Sequence, residues 1–577
     1  DFDALLKNPK ATISFDVEAD NRSQQRVEEL GGDGRLLWSN DTVHLVTLAE
    51  KLLIPALSKI ANFVPGGGIW MNTQRPEWND ANNALVGNGL SVVTLFYLRR
   101  YFEHLRSLVP QNEELQLSAE VATWLQATTS ALSDEIVTPD ATDEEAHRFR
   151  LMSALGVAFS TYREQVVGRG FSGTTKISGA EIAQLCNLAC VHLDATISRS
   201  RRSDGLFHSY NILHVDIGRQ SASIQFLSEM LEGQVAALAS GVLEPQDAIS
   251  LVSTMFDSDL YRPDISNFIL YPARQPKSFL SKNIISTARV AQNAFLVRCV
   301  ETGDKTIVTR DIAGNYRFAA NLASIADLDQ ALSSYSADAQ VADLANTCRD
   351  QTLALFEHVY EHHSYTGRSS SMHAFEGIGS VYWHMVAKLL VALQKLMSEG
   401  SDDSTGRRHN EMLAELYWRV RTGMGPKKSA ASWGAIPTDP YSHSPAHAGA
   451  QQPGMTGFAK EEVLARPFEL GLSVEGGLIH LNTALLRRDE FISAPGAVEF
   501  RHLDGNLELV PLPPKSLLFS YCQVPVVVTL GDQPMTTVTF ADGSVLSGEG
   551  SSLDTHTSGQ IFARSGSVRR VEFTTVG

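Results

Sequence analysis

The chain has 577 residues, too many for one ordinary hydrophobic core, so roughly two to four structural units are expected. Its 43% hydrophobic and 20% charged residues describe an ordered globular protein. A net charge of −17, with basic residues scattered apart from short clusters such as Arg199, Arg201 and Arg202, excludes nucleic acid as a partner, because such binding is driven by concentrated positive charge.

No apolar run reaches the roughly 18 to 20 residues of a membrane-spanning helix, and the N-terminus lacks a signal pattern, so no membrane partner is expected. The chain begins at Asp1, which suggests a processed form or a piece of something longer and leaves export open. Cys186, Cys190, Cys299, Cys348 and Cys522 are odd in number and contain no CxxC pair. They predict neither a disulfide framework nor a zinc knuckle, and lean towards a reducing, cytoplasmic compartment.

From about Asp41 to about Leu470, apolar residues recur at three- and four-residue steps, which predicts one helix after another. In chain order these are Leu45 to Val64, kinked at Pro55, then Leu90 to Leu105, Glu114 to Ile136, Arg148 to Val167, Gly179 to Ile197 and Ser221 to Ala239. Val341 to Tyr360, Ile378 to Met397 and Asn410 to Val420 follow. Long polar, aromatic-rich connections separate them at Asn62 to Asn83, Ser200 to Arg219, Asp257 to Ser286 and Arg421 to Met455. Connections of that length in a compact domain usually carry function, so a cleft built from loops at one end of a helical scaffold is expected.

After about Ala497 the period changes to two, with β-rich runs at Val498 to His502, Leu507 to Val510, Leu517 to Cys522, Val524 to Leu530, Thr536 to Phe540 and Val568 to Val576. Asp504-Gly505 and Asp542-Gly543 read as hairpin turns. The expected organisation is a mainly α body over residues 1–490, followed over 491–577 by a small antiparallel, β-sandwich-like domain.

Three stretches concentrate chemistry. Pro65 to Asn83 holds Trp70, Arg75, Glu77, Trp78, Asp80 and Asn83 before the strong helix from Leu90. Aromatic faces stack on pyranose rings while amides and carboxylates bind hydroxyls, so this is the chemistry of a sugar site. The alternative is that Asp80 or Asn83 caps the helix and the tryptophans are core.

Tyr365 to His384 offers Arg368, His373 and Glu376 as an arginine clamp and a carboxylate, or else Glu376 only complements a helix dipole. Asp439 to Gly457 holds Asp439, Tyr441, His443, His447, Gln452, Thr456 and Gly457, with a helix expected from near Phe458. A glycine-containing turn entering a helix presents free N–H groups to an anion, although a plain cap at Thr456 fits too. His443 and His447 have zinc-pair spacing, but Pro445 between them argues against a helix, and no metal is expected. Asp204 to Asn211 and Tyr261 to Asp264 are further candidates for subsite walls.

Trp78-Asn79-Asp80-Ala81-Asn82-Asn83, followed by Gly87-Asn88-Gly89-Leu90-Ser91 and a helix, resembles the tryptophan, asparagine, aspartate motif of the cellobiose phosphorylase family and its inverting relatives. The resemblance implies an (α/α)6-toroid joined to β-domains, with Asp80 as general acid and Trp78 lining the sugar site. The tyrosine, hydroxyl, histidine element at Tyr441 to His443 and the threonine-glycine element at Thr456-Gly457 are similar to the family's phosphate-binding pieces, but lie closer together here. By resemblance the substrate is a β-linked glucan oligosaccharide.

Inverting cleavage needs a protonated acid at the leaving oxygen and, opposite it, a base-activated water or phosphate. If water attacks, Glu376, Asp439 or Glu461 is the base. If phosphate attacks, it is the co-substrate, held by Arg368, His443 and the Thr456 turn. The altered spacing tilts the expectation towards hydrolysis, with no cofactor. A non-catalytic glycan-binding toroid is the alternative from another class, and a lyase acting on uronates is disfavoured by the acidic charge. Since Asp80 lies close to the N-terminus, a preceding segment or a second chain is expected to complete the toroid.

Overall fold

A computed structural model describes the chain except for residues 1, 10–14, 40–41, 73–84, 136–143, 264–265, 271, 273–280, 282, 336–338, 361–380, 399–403, 425–442, 445–457 and 577. It contains two compact units: Asp1–Ala273 together with Gly377–Gly577, and Arg274–Glu376.

The first unit is mainly α, as expected. After α1 (Phe2–Lys7) and α2 (Val17–Leu30) come α3 (Leu48–Ile60), α4 (Val92–Leu108), α5 (Ala119–Asp134), α6 (Glu144–Arg169) and α7 (Gly179–Ser200). Then follow α8 (Leu231–Ala239) and α9 (Pro245–Asp257).

Local chemistry sets the helix starts. Ser91 caps α4 by accepting from Thr94 N–H, and Ser178 and Glu181 cap α7 reciprocally. The periodic residues of α4 are those it buries: Leu95, Phe96, Leu98, Phe102 and Leu105. Two expected helices start late. Glu114–Ser118 is a strand, β6, paired with β7 (Thr174–Ser178), and Ser221–Phe226 is a strand, β9, paired with β8 (Tyr210–Asp216).

A five-stranded antiparallel sheet runs β3 (Phe63–Val64), β4 (Gly68–Trp70), β5 (Gly89–Ser91), β8, β9. One apolar cluster joins Phe2 of α1, Phe149 and Met152 of α6, and the sheet's Val64, Trp70, Leu90, Leu213 and Ala222. Gly66 and Gly68 turn β3 into β4 at φ 73° and 132°, and a Cβ on Gly67 would lie 2.5 Å from Leu90 Cδ1. The glycine run is therefore a tight hairpin turn.

Later in this unit come α15 (Trp383–Ser398), α16 (Ser404–Met424) and α17 (Phe458–Glu469), which starts where expected. Helix packing proceeds α6, α5, α7, α4, α8, α15, and α15 also touches α16 and α17. Glu469, 1% exposed, ties the last three together. Its carboxylate accepts from the Tyr417 hydroxyl at 2.6 Å, Arg421 Nε at 2.9 Å and an Arg466 N–H at 3.0 Å, while Gln394 of α15 donates to the Tyr417 oxygen at 2.9 Å.

The β-rich tail is built on a five-stranded sheet of order β20 (Ser516–Tyr521), β21 (Val524–Gly531), β24 (Val568–Val576), β22 (Met535–Phe540), β23 (Val545–Glu549). Val526 and Val528 face Leu472, Ile479 and Leu481 of the hairpin β16 (Leu472–Glu475) and β17 (Leu478–Leu481), with Ile561 of α18 (Thr555–Phe562). Val527 and Leu518 face Val510 and Leu512, on the hairpin of β18 (Gly496–Arg501) and β19 (Leu507–Leu512). Opposite burial of consecutive valines is the period-two reading realised. The purely antiparallel expectation is corrected, since β21 and β24 pair in parallel, with α18 on the path between them. This core also starts at Leu472, ahead of residue 491.

The second unit has its own core of Phe295, Leu296, Ile307, Phe318, Leu328 and Phe356. It comprises α10 (Thr287–Ala291), α11 (Ala294–Thr302), α12 (Ile325–Ser333), α13 (Ala339–Thr347), α14 (Arg349–Tyr360) and the hairpin β12 (Val308–Arg310) with β13 (Tyr316–Phe318). Asp311 closes that hairpin, accepting from Asn315 N–H at 2.8 Å and Arg317 Nε at 2.9 Å.

All five cysteines are free, and burial pushes the Cys186 and Cys299 thiols up to about 12. Among the described residues no helix is long and apolar enough to cross a membrane.

Candidate functional site

Asp80 falls in sequence between β4 and β5, two strands paired with each other in the first unit. Trp70 of β4 faces Leu90 of β5, Met71 N–H donates to Gly89 O at 2.8 Å and Gly87 N–H to Met71 O at 2.7 Å. The stem on either side of residues 73–84 is therefore fixed. Asn72, 6% exposed, anchors its base by donating to Asn62 Oδ1 at 2.5 Å.

Trp70 belongs to the stem. It is 5% exposed, its indole N–H is taken by Gly87 O at 2.8 Å, and Phe2 meets it edge-on at 6.4 Å. These are the contacts of a core residue. Arg75, Glu77, Trp78, Asp80 and Asn83 lie outside the described residues.

Beside the stem, β8 pairs with β5, and Ser209, just before β8, bridges the starts of two helices. Its carbonyl accepts from Val92 N–H at the head of α4 at 2.9 Å, and its hydroxyl oxygen accepts from Gly233 N–H in the first turn of α8 at 2.8 Å. Leu231 N–H of α8 donates to Leu270 O at 2.8 Å, just past β11 (Asn267–Phe268). That strand contacts β14 (Val381–Tyr382), which runs directly into α15. Asn267 also donates to Gly423 O at 3.0 Å, at the end of α16.

The starts of α4, α8 and α15 and the end of α16 thus lie at one end of the helical layer. The described residues that flank the three stretches singled out in the sequence belong to this end: Asn72 and Leu85 ahead of α4, Val381 ahead of α15 and Met424 at the end of α16. The second and third stretches also meet through backbone, because His443 of β15 (His443–Ser444) pairs with Tyr382 of β14. Arg368, His373, Glu376, Asp439, Tyr441, His447, Gln452, Thr456 and Gly457 lie outside the described residues, and Glu461 falls within α17.

A carboxylate that the sequence reading passed over sits at this end. Glu232, in the first turn of α8, is 2% exposed and accepts from the Tyr210 hydroxyl at 2.9 Å. Burial and then the charge of Glu232 push the Tyr97 phenol, on α4, above its ordinary value. The signal available in sequence was one acid inside an otherwise uncharged helix, Leu231 to Ala239. Two other candidate loops have structural roles in what is described. Asp204 is held below the ordinary carboxylate range by its hydrogen bond to Arg202 and closes a turn onto Leu206 N–H, and Tyr261 packs on Phe256 and Phe268. Asp264 lies outside the described residues.

Among the described residues no group of His, Cys, Asp and Glu is placed to hold a metal ion.

Residues 276–363 match a family described as GH149 phosphorylase insertion domain 2. The match falls inside the second compact unit, Arg274–Glu376, which interrupts the first unit in sequence as an insertion does. It points to a glycoside phosphorylase-like family rather than to the cellobiose phosphorylase family in particular, and covers a minor part of the chain. No curated protein matches the chain.

Proposed function

We propose that this chain is the catalytic part of an inverting glycoside phosphorylase that cleaves β-linked glucan oligosaccharides with inorganic phosphate, Asp80 being the general acid. The observation that carries the reading is the phosphorylase insertion-domain match over the inserted unit, in a chain that also bears the Trp78 to Asn83 motif. The preference for hydrolysis drawn from the close spacing of the Asp439 to Gly457 elements finds no support in that match.

In this mechanism Asp80 protonates the glycosidic oxygen as phosphate attacks the anomeric carbon from the opposite face. Asp80 must hold its proton at neutral pH, which burial or a neighbouring carboxylate such as Glu77 would achieve. Phosphate is already nucleophilic, so no base is required, and Glu376 and Asp439 are then free to bind sugar hydroxyls. A chain of net charge −17 repels a phosphate dianion, so the site needs local positive potential. Arg368 can give a two-pronged grip on phosphate, with His443 and the backbone N–H groups of the Thr456-Gly457 turn completing it. Trp78, Arg75 and Asn83 would line the sugar site, with Trp70 bracing the stem from below. An α/α-toroid is the helical arrangement that suits this reading.

Product analysis tests it. Wild-type protein given β-gluco-oligosaccharides should release sugar 1-phosphate only when inorganic phosphate is present, and Asp80→Asn should lower that rate by about 10²- to 10⁴-fold. Free sugar at equal rate with and without phosphate would make the enzyme a hydrolase. No turnover of any glycan, with binding retained, would leave the non-catalytic glycan-binding reading.

A further inference from the structure

Phe226 ends β9 as an apolar residue that the core does not take in. Ala222, Ile224 and Phe226 share one face of the strand. The first is fully buried in the apolar cluster, the second packs against that cluster, and Phe226 is 49% exposed. A lone exposed phenylalanine is ordinary, but this ring is held in place. His208 stacks on it, with ring centroids 4.8 Å apart and planes 26° from parallel. The imidazole is itself fixed, since its Nδ1 lies 2.6 Å from Leu227 O. A carbonyl only accepts, so Nδ1 carries the proton and Nε2 a bare lone pair. Burial outweighs that bond and holds the imidazole below its ordinary value, so the ring stays neutral at pH 7. Nε2 has no hydrogen-bond partner among the described residues and reaches solvent. His208 directly precedes Ser209, and Phe226 pairs with Asn211 of β8, so both lie at the end of the helical layer where α4 and α8 start.

The imidazole covers part of the Phe226 ring, and the exposed remainder is an apolar plate with a hydrogen-bond acceptor fixed beside it. Neither part has to be ordered by a ligand, which lowers the cost of binding. A pyranose matches the pair, with an apolar C–H face for the plate and hydroxyls at its rim to donate. An anion would meet the lone pair of Nε2 with lone pairs of its own. A cation is the competitor, but the nearby carboxylates of Asp204 and Glu229 are already paired with Arg202, at 2.7 and 2.9 Å. We propose that Phe226 and His208 form a subsite for one glucosyl unit of an oligosaccharide, its C–H face on Phe226 and a hydroxyl of the chain donating to His208 Nε2. The stretch Asp204 to Asn211 then contributes to a subsite wall through His208 and not through Asp204. This inference rests on the glycan part of the reading above, and not on Asp80 or on phosphate.

The test is calorimetric titration of the full chain, without phosphate, with β-linked gluco-oligosaccharides from disaccharide to hexasaccharide and with tetramethylammonium as the cation probe. Phe226→Ala should weaken binding of the longer oligosaccharides about five- to tenfold, the weight of one aromatic stacking contact. Phe226→Tyr keeps the plate and should bind as the wild type does, which separates loss of stacking from loss of fold. His208→Phe keeps the stack, removes the acceptor and should weaken binding about two- to tenfold. Unchanged affinity in Phe226→Ala, no glycan binding by the wild type, or tighter binding of tetramethylammonium than of any glycan would each overturn the proposal. Phe226-dependent glycan binding in a chain that turns over no glycan would leave this subsite standing and remove the phosphorylase reading. Turnover with phosphate that Phe226→Ala leaves unaltered for every chain length would do the reverse.

Discussion

Glu469 illustrates how one side chain holds three helices in register. It is 1% exposed and binds the Tyr417 hydroxyl, Arg421 and Arg466 at once. Removing one member of a buried ion pair leaves the other charge uncompensated and costs about 3–5 kcal/mol. In Glu469→Ala, Arg421, itself 8% exposed, would lose this carboxylate partner. Urea unfolding of the first unit should show a loss of that size, with Glu469→Gln losing less because an amide oxygen still accepts from Tyr417. Equal midpoints for wild type and Glu469→Ala would mean that the network contributes nothing.

Residue-scale chemistry was only partly legible in the sequence. Trp70 looked like part of a sugar platform because it stands among polar residues. What decides its role is the apolar cluster brought to it from Phe2, Phe149 and Leu213, which no local pattern reveals. Glu232 was missed for the converse reason, since a single acid in a helix reads as solvated until tertiary packing buries it.

At the scale of elements, the hairpin closed by Asp311 carries a pH signature. Backbone and side-chain hydrogen bonds from Asn315, with the guanidinium of Arg317, lower the Asp311 carboxyl to about 2 from an ordinary 3.8. A depressed folded-state value contributes stability that is present above about pH 4 and is lost as pH falls towards 2. Amide exchange across Val308–Phe318, corrected for intrinsic rates, should therefore lose protection between pH 4 and 2. Asp311→Asn should flatten that dependence; an unchanged profile would show that the turn is held by other contacts.

The Asp-Gly turns were legible because glycine supplies the positive φ, 84° at Gly505 and 85° at Gly543. The strands at Glu114–Ser118 and Ser221–Phe226 were not, because five or six alternating residues ahead of a strong helix are absorbed into its period. The partner of the first, Thr174–Ser178, is distant in sequence, while Tyr210–Asp216 meets the second across a turn of residues 217–220, and in both cases pairing rather than propensity makes the strand.

For the whole molecule, the division at Arg274–Glu376 left no mark in the helical periodicity, since helices of both units repeat at the same step. A separate core predicts separate opening. Leu328 is fully buried in the second unit, and Leu328→Ala should cost about 2–5 kcal/mol there. Hydrogen exchange should then quicken across α11–α14 and stay unchanged across α4–α7; equal quickening in both would mean that the chain opens as one cooperative body. The joining of the residues that flank the long polar connections, through Ser209, Asn267 and the pairing of β14 with β15, depends on contacts far apart in sequence and was not legible there.

The contact between β11 and β14 spans the whole inserted unit: Phe268 emerges from the ribosome long before Val381. During synthesis the first unit therefore waits, unfinished, while more than a hundred residues are made. A flexible stretch of that length would add to the entropy lost when the two strands meet. Once the core around Phe295 and Phe356 has condensed, the intervening chain is no longer a free coil, and the search is shortened. Speed of assembly, and with it exposure to aggregation, thus becomes a property of the insertion, even for lesions that touch no residue of the body it interrupts.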